Sequence, residues 1–288
     1  MSAVPDTISS LVEADPATSL FYRHVLETLS ASGVPFLVGG AFALACFTEV
    51  KRHTKDLDLF IRRCDYERIE QLMAEAGYRA ELTFPHWLAK VYSNGSADAF
   101  VDLIFSSGNG IAPVDEAWFE HAAEVEVLGV PVQVAPAEES LWSKAFIMER
   151  ERYDGADVAH LLRDRAHEMD WPRLLQRFGP HWRVLLSHLV LFGFIYPGER
   201  ALVPPWVMDH LLQRLQQETH APSPPTQLCA GTLLSREQYL LDVQQQGYQD
   251  GRVQPHGMMT PQDVAEWTGA ISARRDGDAA DEGGAGKP

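Results

Sequence analysis

Cysteine is scarce in this 288-residue chain: Cys46, Cys64 and Cys229 are odd in number, widely spaced and without a Cys-x-x-Cys pair. That excludes a disulfide framework and a zinc site of the usual spacing. Positive charge is short as well, with 24 Lys and Arg against 40 Asp and Glu and a formal charge of −16. Such a field repels a polyanion unless a local basic patch overrides it, so bulk DNA binding is not expected. The most apolar stretch, Val184 to Tyr196, carries Ser187 and His188 and is too short to span a bilayer. No basic segment followed by an apolar one opens the chain, so no membrane association is expected and the expected location is the cytoplasm. The histidines are scattered without metal-ligand spacing, and no repeat recurs. What the chain does have is 45% hydrophobic residues, ample for a packed core.

Residues 1–17 read as a loose leader with Pro5, Asp15 and Pro16. From Ser19 to Ser30, Leu20, Phe21, Val25, Leu26 and Leu29 recur at helical spacing. Phe36-Leu37-Val38 then reads as a short buried strand, cut off by Gly39-Gly40 and followed by a helix over 41–47. In Asp56-Leu57-Asp58-Leu59-Phe60-Ile61, alternation puts Leu57, Leu59 and Ile61 on one strand face and both aspartates on the other. A helix over 65–76 closes at Gly77. Strands follow at 88–92 and 99–105, joined through Asn94-Gly95, with Asp102 opposite the face of Val101, Leu103 and Phe105. A strand pair at 124–128 and 130–134 turns near Gly129.

After Pro136 the pattern is helical, over 138–148, 154–165, 171–178, 181–194 and 207–218, with no clear strand signal. Pro222, Pro224 and Pro225 mark a linker, and a short helix over 261–273 is expected with Thr260 as its N-cap. The expected organisation is a leader (1–17), an α/β domain with a mixed sheet (18–135), an all-helical domain (136–273) and a disordered tail (274–288).

Two carboxylates on one strand face and a third on another strand raise each other's pKa and oppose folding unless a counter-charge arrives. Carboxylate oxygens suit magnesium or manganese, so Asp56, Asp58 and Asp102 are the expected metal ligands. Gly39-Gly40 lets a ligand approach the backbone and leaves helix N-terminal amides free for phosphate oxygens.

The apolar strand ending in Gly39-Gly40, the Thr54-Lys55-Asp56-Leu57-Asp58-Leu59 segment and the later Val101-Asp102-Leu103 together resemble the nucleotidyltransferase superfamily with the polymerase-beta-like fold. The resemblance covers about residues 19–134. More loosely, the helical half resembles bacterial members of the abortive-infection, toxin and antibiotic-modifying types, in which a helical Lys precedes an acidic helix, as Lys144 precedes Asp154 and Asp157 here. The resemblance implies transfer of a nucleoside monophosphate, with ATP the expected donor, to a hydroxyl acceptor with release of pyrophosphate. It implies that Gly39 and Gly40 cradle the triphosphate, and that Asp56, Asp58 and Asp102 hold two magnesium or manganese ions. Asp102 would serve the ion nearest the acceptor and help take the hydroxyl proton.

Around that core, Arg52 or Lys55 could meet phosphate, Thr54 could orient Asp56, and Lys144 could reach the triphosphate; polar-loop and solvated-face readings compete with each. Asp98 competes with Asp102 if the strand register slips. Trp87, in Phe84-Pro85-His86-Trp87, could stack on a base, although a buried aromatic is the commoner case. The run 149–154 reads as a salt-bridged helix end, with Asp157 able to line an acceptor pocket. A small molecule, a tRNA end or a protein side chain all remain as acceptors, the tRNA requiring a basic face from Arg163, Arg165, Arg173, Arg177 and Arg183. Two other classes compete: a catalytically silent nucleotide- or partner-binding module, and a metal-dependent hydrolase on the same carboxylates.

Overall fold

The computed structural model describes residues 16–48, 50, 54, 56–93 and 99–270. Residues 1–15 of the expected leader, the expected tail, the Asn94-Gly95 turn, Asp98, Arg52 and Lys55 lie outside them, while Pro16 and Ala17, expected in the leader, begin the first helix.

Helix α1 (Pro16–Ser32) buries Phe21, Tyr22, Val25, Leu26 and Leu29, one helical stripe, against the sheet. Strand β1 (Leu37–Val38) is two fully buried residues, shorter than the apolar run suggests, because Gly39 already turns the chain into α2 (Gly40–Phe47). Strand β2 (Leu57–Phe60) follows, then α3 (Tyr66–Glu75). Strand β3 (Arg79–Phe84), absent from the expected elements although its residues alternate polar and apolar, hairpins into β4 (Leu88–Tyr92), and β5 (Phe100–Ile104) follows. A short α4 (Glu116–Glu120) leads to β6 (Ala123–Val127) and β7 (Val130–Val134). Their connection is a two-residue turn with Leu128 and Gly129 both at positive φ (52° and 78°), the backbone that matches hairpin twist.

These strands form one mixed sheet in the order β3-β4-β5-β2-β1-β7-β6. Strand β2 runs parallel to β5 and antiparallel to β1, while β1 runs parallel to β7. The polar ends of the central strands therefore meet on one side of the sheet.

The helical half comprises α5 (Ala137–Ala145), α6 (Gly155–Arg165), α7 (Trp171–Phe178), α8 (Trp182–Ile195) and α9 (Pro205–His220). Helix α5 lies against α2 and α6, and one contiguous apolar core runs from Phe21 on α1 to Leu211 on α9. Within this packing, Glu139 is fully buried and bonded by Arg173 (2.6 Å) and Arg177 (3.0 Å). Arg177 also grips Asp115 with both terminal nitrogens, at 2.6 and 2.7 Å. Taking Glu139 out of water is tolerable only because two guanidinium groups surround it.

The expectation of no strands after Pro136 needs correction. Strands β8 (Leu228–Cys229) and β9 (Gln249–Asp250) form a small parallel pair flanking α10 (Leu240–Gln245). Two-residue strands carry no detectable alternation. A last helix over 261–270 is capped reciprocally: Asp263 N donates to Thr260 Oγ1 (3.2 Å), and Thr260 N donates to Asp263 Oδ2 (2.8 Å). This C-terminal segment folds back onto the loop after β5. Asn109 Nδ2 donates to the Leu233 carbonyl (2.7 Å), and Trp267 lies close over Gly108.

Candidate active site

Strand β2 presents Leu57 and Leu59, both fully buried, to the core, so Asp58 between them faces the other way, with Asp56 just before the strand. Strand β5 repeats this with Val101 and Leu103 buried around Asp102. The parallel register sets Leu57 against Val101 and Asp58 directly against Asp102. As a result Asp56, Asp58 and Asp102, each half-buried, bring one carboxylate oxygen apiece within 4.8 Å of one another. In this register Asp102 is the residue that pairs with Asp58; Asp98 lies outside the described residues.

The Gly39-Gly40 turn closes over the same point. Gly39 N donates to the Asp58 carbonyl (2.9 Å), which locks the turn to β2. Gly40 sits at φ +55°, and a Cβ there would lie 1.7 Å from Asp58 Oδ2. Only glycine fits both the backbone and the space. Thr54 Oγ1 donates to Asp56 Oδ1 (2.7 Å) and lies 3.1 Å from the Asp56 carbonyl, a contact that ties the Asp56 carboxylate to the loop before β2.

Lys144 on α5 reaches Asp157 Oδ2 (2.8 Å) and Asp154 Oδ2 (3.3 Å) on the α6 side. Arg152 forks onto Asp154, with Nε 3.0 Å from Oδ1 and Nη2 2.9 Å from Oδ2. Both cations also act on Asp58 across the cleft. The run 149–154 is thus no helix end: a Met148–Tyr153 bridge makes it a loop that delivers Arg152 to the site.

The electrostatics are those of a crowded acidic site. Burial, then the charges of Asp56 and Asp102, push the Asp58 carboxyl up to about 7, with Lys144 and Arg152 opposing. Burial also raises Asp102, against the pull of Lys90, whose Nζ is 2.6 Å from Asp102 Oδ1. Burial would raise Asp154 too, but Arg152 and Lys144 hold it below the ordinary carboxylate range. Among the described residues no cation bonds Asp56 or Asp58 directly. A cluster of three converging carboxylates with two unneutralised members is the donor set that a hard divalent cation fits.

Lys90 and Arg152 are the residues that sequence reasoning missed. A signal existed for Lys90, since alternation along 88–92 puts it on the polar face that Asp102 shares; none existed for Arg152. Other expectations resolve away from the site. Trp87 stacks on Phe84 (5.7 Å between centroids, 14° between planes), and His86 Nε2 donates to the Gly108 carbonyl (3.1 Å) beside Trp267. The aromatics of this turn therefore anchor the C-terminal segment. The arginines of 163–183 each meet an acid: Arg173 and Arg177 hold the buried Glu139, Arg163 pairs with Asp164, Arg165 with Glu168 and the exposed Arg183 with Glu218.

A mixed sheet that sets a Gly-Gly turn beside three carboxylates from two parallel strands defines the nucleotidyltransferase class of enzyme. The family model described as uncharacterised nucleotidyltransferase matches residues 21–181, more than half of the chain, and this protein belongs to that family. No curated protein matches the chain. Among solved structures, the antibiotic-resistance factor ANT(2'')-Ia aligns at 17% identity over 72% of this chain and 97% of its own, with a TM-score of 0.34. The lincosamide antibiotic adenylyltransferase LnuA, solved with lincomycin bound, aligns at 15% identity over 50% of this chain and 94% of its own, with a TM-score of 0.35. An antigenic nucleotidyltransferase-like protein from Paracoccidioides brasiliensis aligns at 15% identity over 61% and 93%, with a TM-score of 0.35. Among the described residues, no helix is long and apolar enough to cross a membrane.

Proposed function

We propose that the protein transfers a nucleoside monophosphate, AMP from ATP as the expected case, to a hydroxyl acceptor with release of pyrophosphate. The observation that carries this reading is the carboxylate triad, with oxygens within 4.8 Å, roofed by Gly40, where a Cβ would displace the Asp58 carboxylate.

Residues 18–135 supply the carboxylate triad with Lys90, and residues 136–273 supply Lys144 and Arg152 with the acids Asp154 and Asp157 that hold them. Asp56 and Asp58 would hold magnesium or manganese on the nucleotide side, and Asp102 a second ion on the acceptor side. Such ions, when bound, screen the triphosphate and make its α-phosphorus more electrophilic. The chain's own residues do the positioning. The Gly39-Gly40 turn admits the triphosphate to the amides at the start of α2. Thr54 fixes the Asp56 carboxylate through its 2.7 Å bond, so that little reorganisation accompanies binding. Lys144 and Arg152, prepositioned by Asp154 and Asp157, face the phosphate chain. The acceptor oxygen attacks the α-phosphorus, its proton passes to Asp102 Oδ2, and the bond to pyrophosphate breaks.

The test is incubation with α-labelled ATP, CTP, GTP and UTP plus magnesium, against RNA, protein and small-molecule acceptors, with Asp56→Asn/Asp58→Asn in parallel. Label should move to one acceptor class with the wild type alone. Label transferred equally by the double variant would defeat the assignment.

A further inference from the structure

The registers of β3, β4, β5 and β2 set four ionisable residues in one row across the sheet. Glu81 lies directly opposite Lys90, Lys90 opposite Asp102, and Asp102 opposite Asp58. Directly opposed residues share a face and lie about 4.5–5.5 Å apart at Cβ. The row therefore reads acid, base, acid, acid, and it ends inside the carboxylate triad.

Lys90 is held at the middle of this row. Its ammonium is 2.6 Å from Asp102 Oδ1 and 3.5 Å from the centre of the Phe100 ring, and its side chain is only 19% exposed. A Lys ammonium is a compact point charge on a flexible stem, able to change partners without moving the backbone. Resting on Asp102, it occupies a coordination site of the carboxylate that the second, acceptor-side ion needs. Its positive charge would also repel an ion held by that carboxylate.

We infer that Lys90 is a built-in competitor of the acceptor-side ion: it neutralises Asp102 while that ion is absent, and swings toward Glu81 when the ion binds. This deepens the proposed reading of the site and rests on it. Glu81 is half exposed and already tied to Arg79 on its own strand, so it offers a weaker station than Asp102. The equilibrium thus favours Lys90 on Asp102 until a divalent cation displaces it. The consequence is two unequal metal sites. The nucleotide-side ion, on Asp56 and Asp58, meets no such competitor among the described residues. The acceptor-side ion binds against Lys90 and fills last. Lys90 is accordingly a positioning residue, acting through Asp102.

The test is Mn2+ binding followed by electron paramagnetic resonance at pH 8, with a non-hydrolysable ATP analogue, on the whole chain. Wild type should show two sites, the second at least tenfold weaker than the first. Lys90→Met should tighten the second site at least tenfold and move the first less than threefold. Lys90→Arg, which keeps a cation on Asp102, should leave the second site no tighter than in wild type. Glu81→Gln should weaken the second site about threefold; an unchanged second site there overturns the swing toward Glu81. Two wild-type sites of equal affinity overturn the competition. A Lys90→Met variant whose second site is unchanged, or weaker, or that tightens both sites alike, overturns it as well. If Lys90→Met does not fold, wild type and Lys90→Arg decide: unequal sites in both support the competition, and a tighter second site in Lys90→Arg overturns it. A wild type that binds no Mn2+ overturns the carboxylate reading of the whole site, an outcome distinct from two equal sites.

Discussion

Gly40→Ala separates the catalytic role of the Gly-Gly turn from its backbone role. Two costs meet at this position. A left-handed backbone costs a non-glycine residue about 1–2 kcal/mol, and Gly40 is at φ +55°. The added Cβ would also lie 1.7 Å from Asp58 Oδ2, so the carboxylate must leave its place. Crowding of that kind costs about 1–3 kcal/mol. The sum is about 2–5 kcal/mol, or on the order of 10 °C in melting temperature for a chain of this size. Gly33→Ala supplies the control: Gly33 has φ +69° with nothing within 4 Å of its Cβ position, so only the backbone cost applies. That variant should lose about 1 kcal/mol and keep full transfer activity. Gly40→Ala should lose transfer at least a hundredfold, and magnesium should no longer raise its melting temperature, because Asp58 is displaced. Scanning calorimetry with and without magnesium, together with label transfer, reads both effects. Equal destabilisation by the two substitutions, with transfer retained in Gly40→Ala, would refute the reasoning.

Reversing charge at Arg173 strikes the fully buried Glu139, so Arg173→Glu should destabilise by about 3–5 kcal/mol in urea unfolding, whatever RNA is present. A stable variant that merely loses RNA affinity would restore the basic-face idea. His188 is 3% exposed, donates from Nε2 to the Ala145 carbonyl (2.8 Å), and is kept by burial below the ordinary histidine range. The unfolded chain therefore takes up a proton first as pH falls below about 6.5. The stability His188 contributes is present above that pH and lost below it, at up to about 1.4 kcal/mol per pH unit. Melting temperatures from pH 7.5 to 5 should fall less steeply in His188→Gln. Trp267→Ala empties the space over Gly108 and between Arg236 and Arg252, at a cost of about 3–5 kcal/mol, largely confined to residues 228–270. Limited proteolysis should cut that segment early while the sheet core survives; simultaneous loss of the core would show that the segment is integral to it.

The parts of the site that the sequence revealed are those fixed by period-two alternation and by glycine. Leu57, Leu59, Val101 and Leu103 had to face the core, and that alone aimed Asp58 and Asp102 together once the strands were adjacent. Adjacency itself was not legible, since β2 and β5 are separated by two further strands, and their pairing is a tertiary outcome. Strand β3 shows a second limit. Arg79-Ala80-Glu81-Leu82-Thr83-Phe84 alternates polar with apolar residues, but Arg79 and Glu81 project from a sheet edge, where charge guards against pairing with another chain, and they leave the segment little apolar weight beyond Leu82 and Phe84. Arg152 shows a third: Glu-Arg-Glu-Arg has the look of a solvated helix surface, and only the Met148–Tyr153 bridge turns it toward Asp154.

The charges assembled in the cleft bear on how a protein this acidic would handle the polyphosphate that the proposed reading assigns to it. Among the described residues, Asp56, Asp58, Asp102, Asp154 and Asp157 face Lys90, Lys144 and Arg152, five carboxylates to three cations. The protein's formal charge of −16 adds long-range repulsion to this local excess. Lys144 and Arg152 cannot overcome it, because each is already paired to the acids that hold it in place. On the proposed reading, additional positive charge arrives with the nucleotide, and Asp56 and Asp58, which no cation among the described residues bonds, are where it would be received. The work would then be divided: Lys144 and Arg152 of the helical half would orient the phosphate chain, and the carboxylates of the sheet half would recruit the charge that lets it enter.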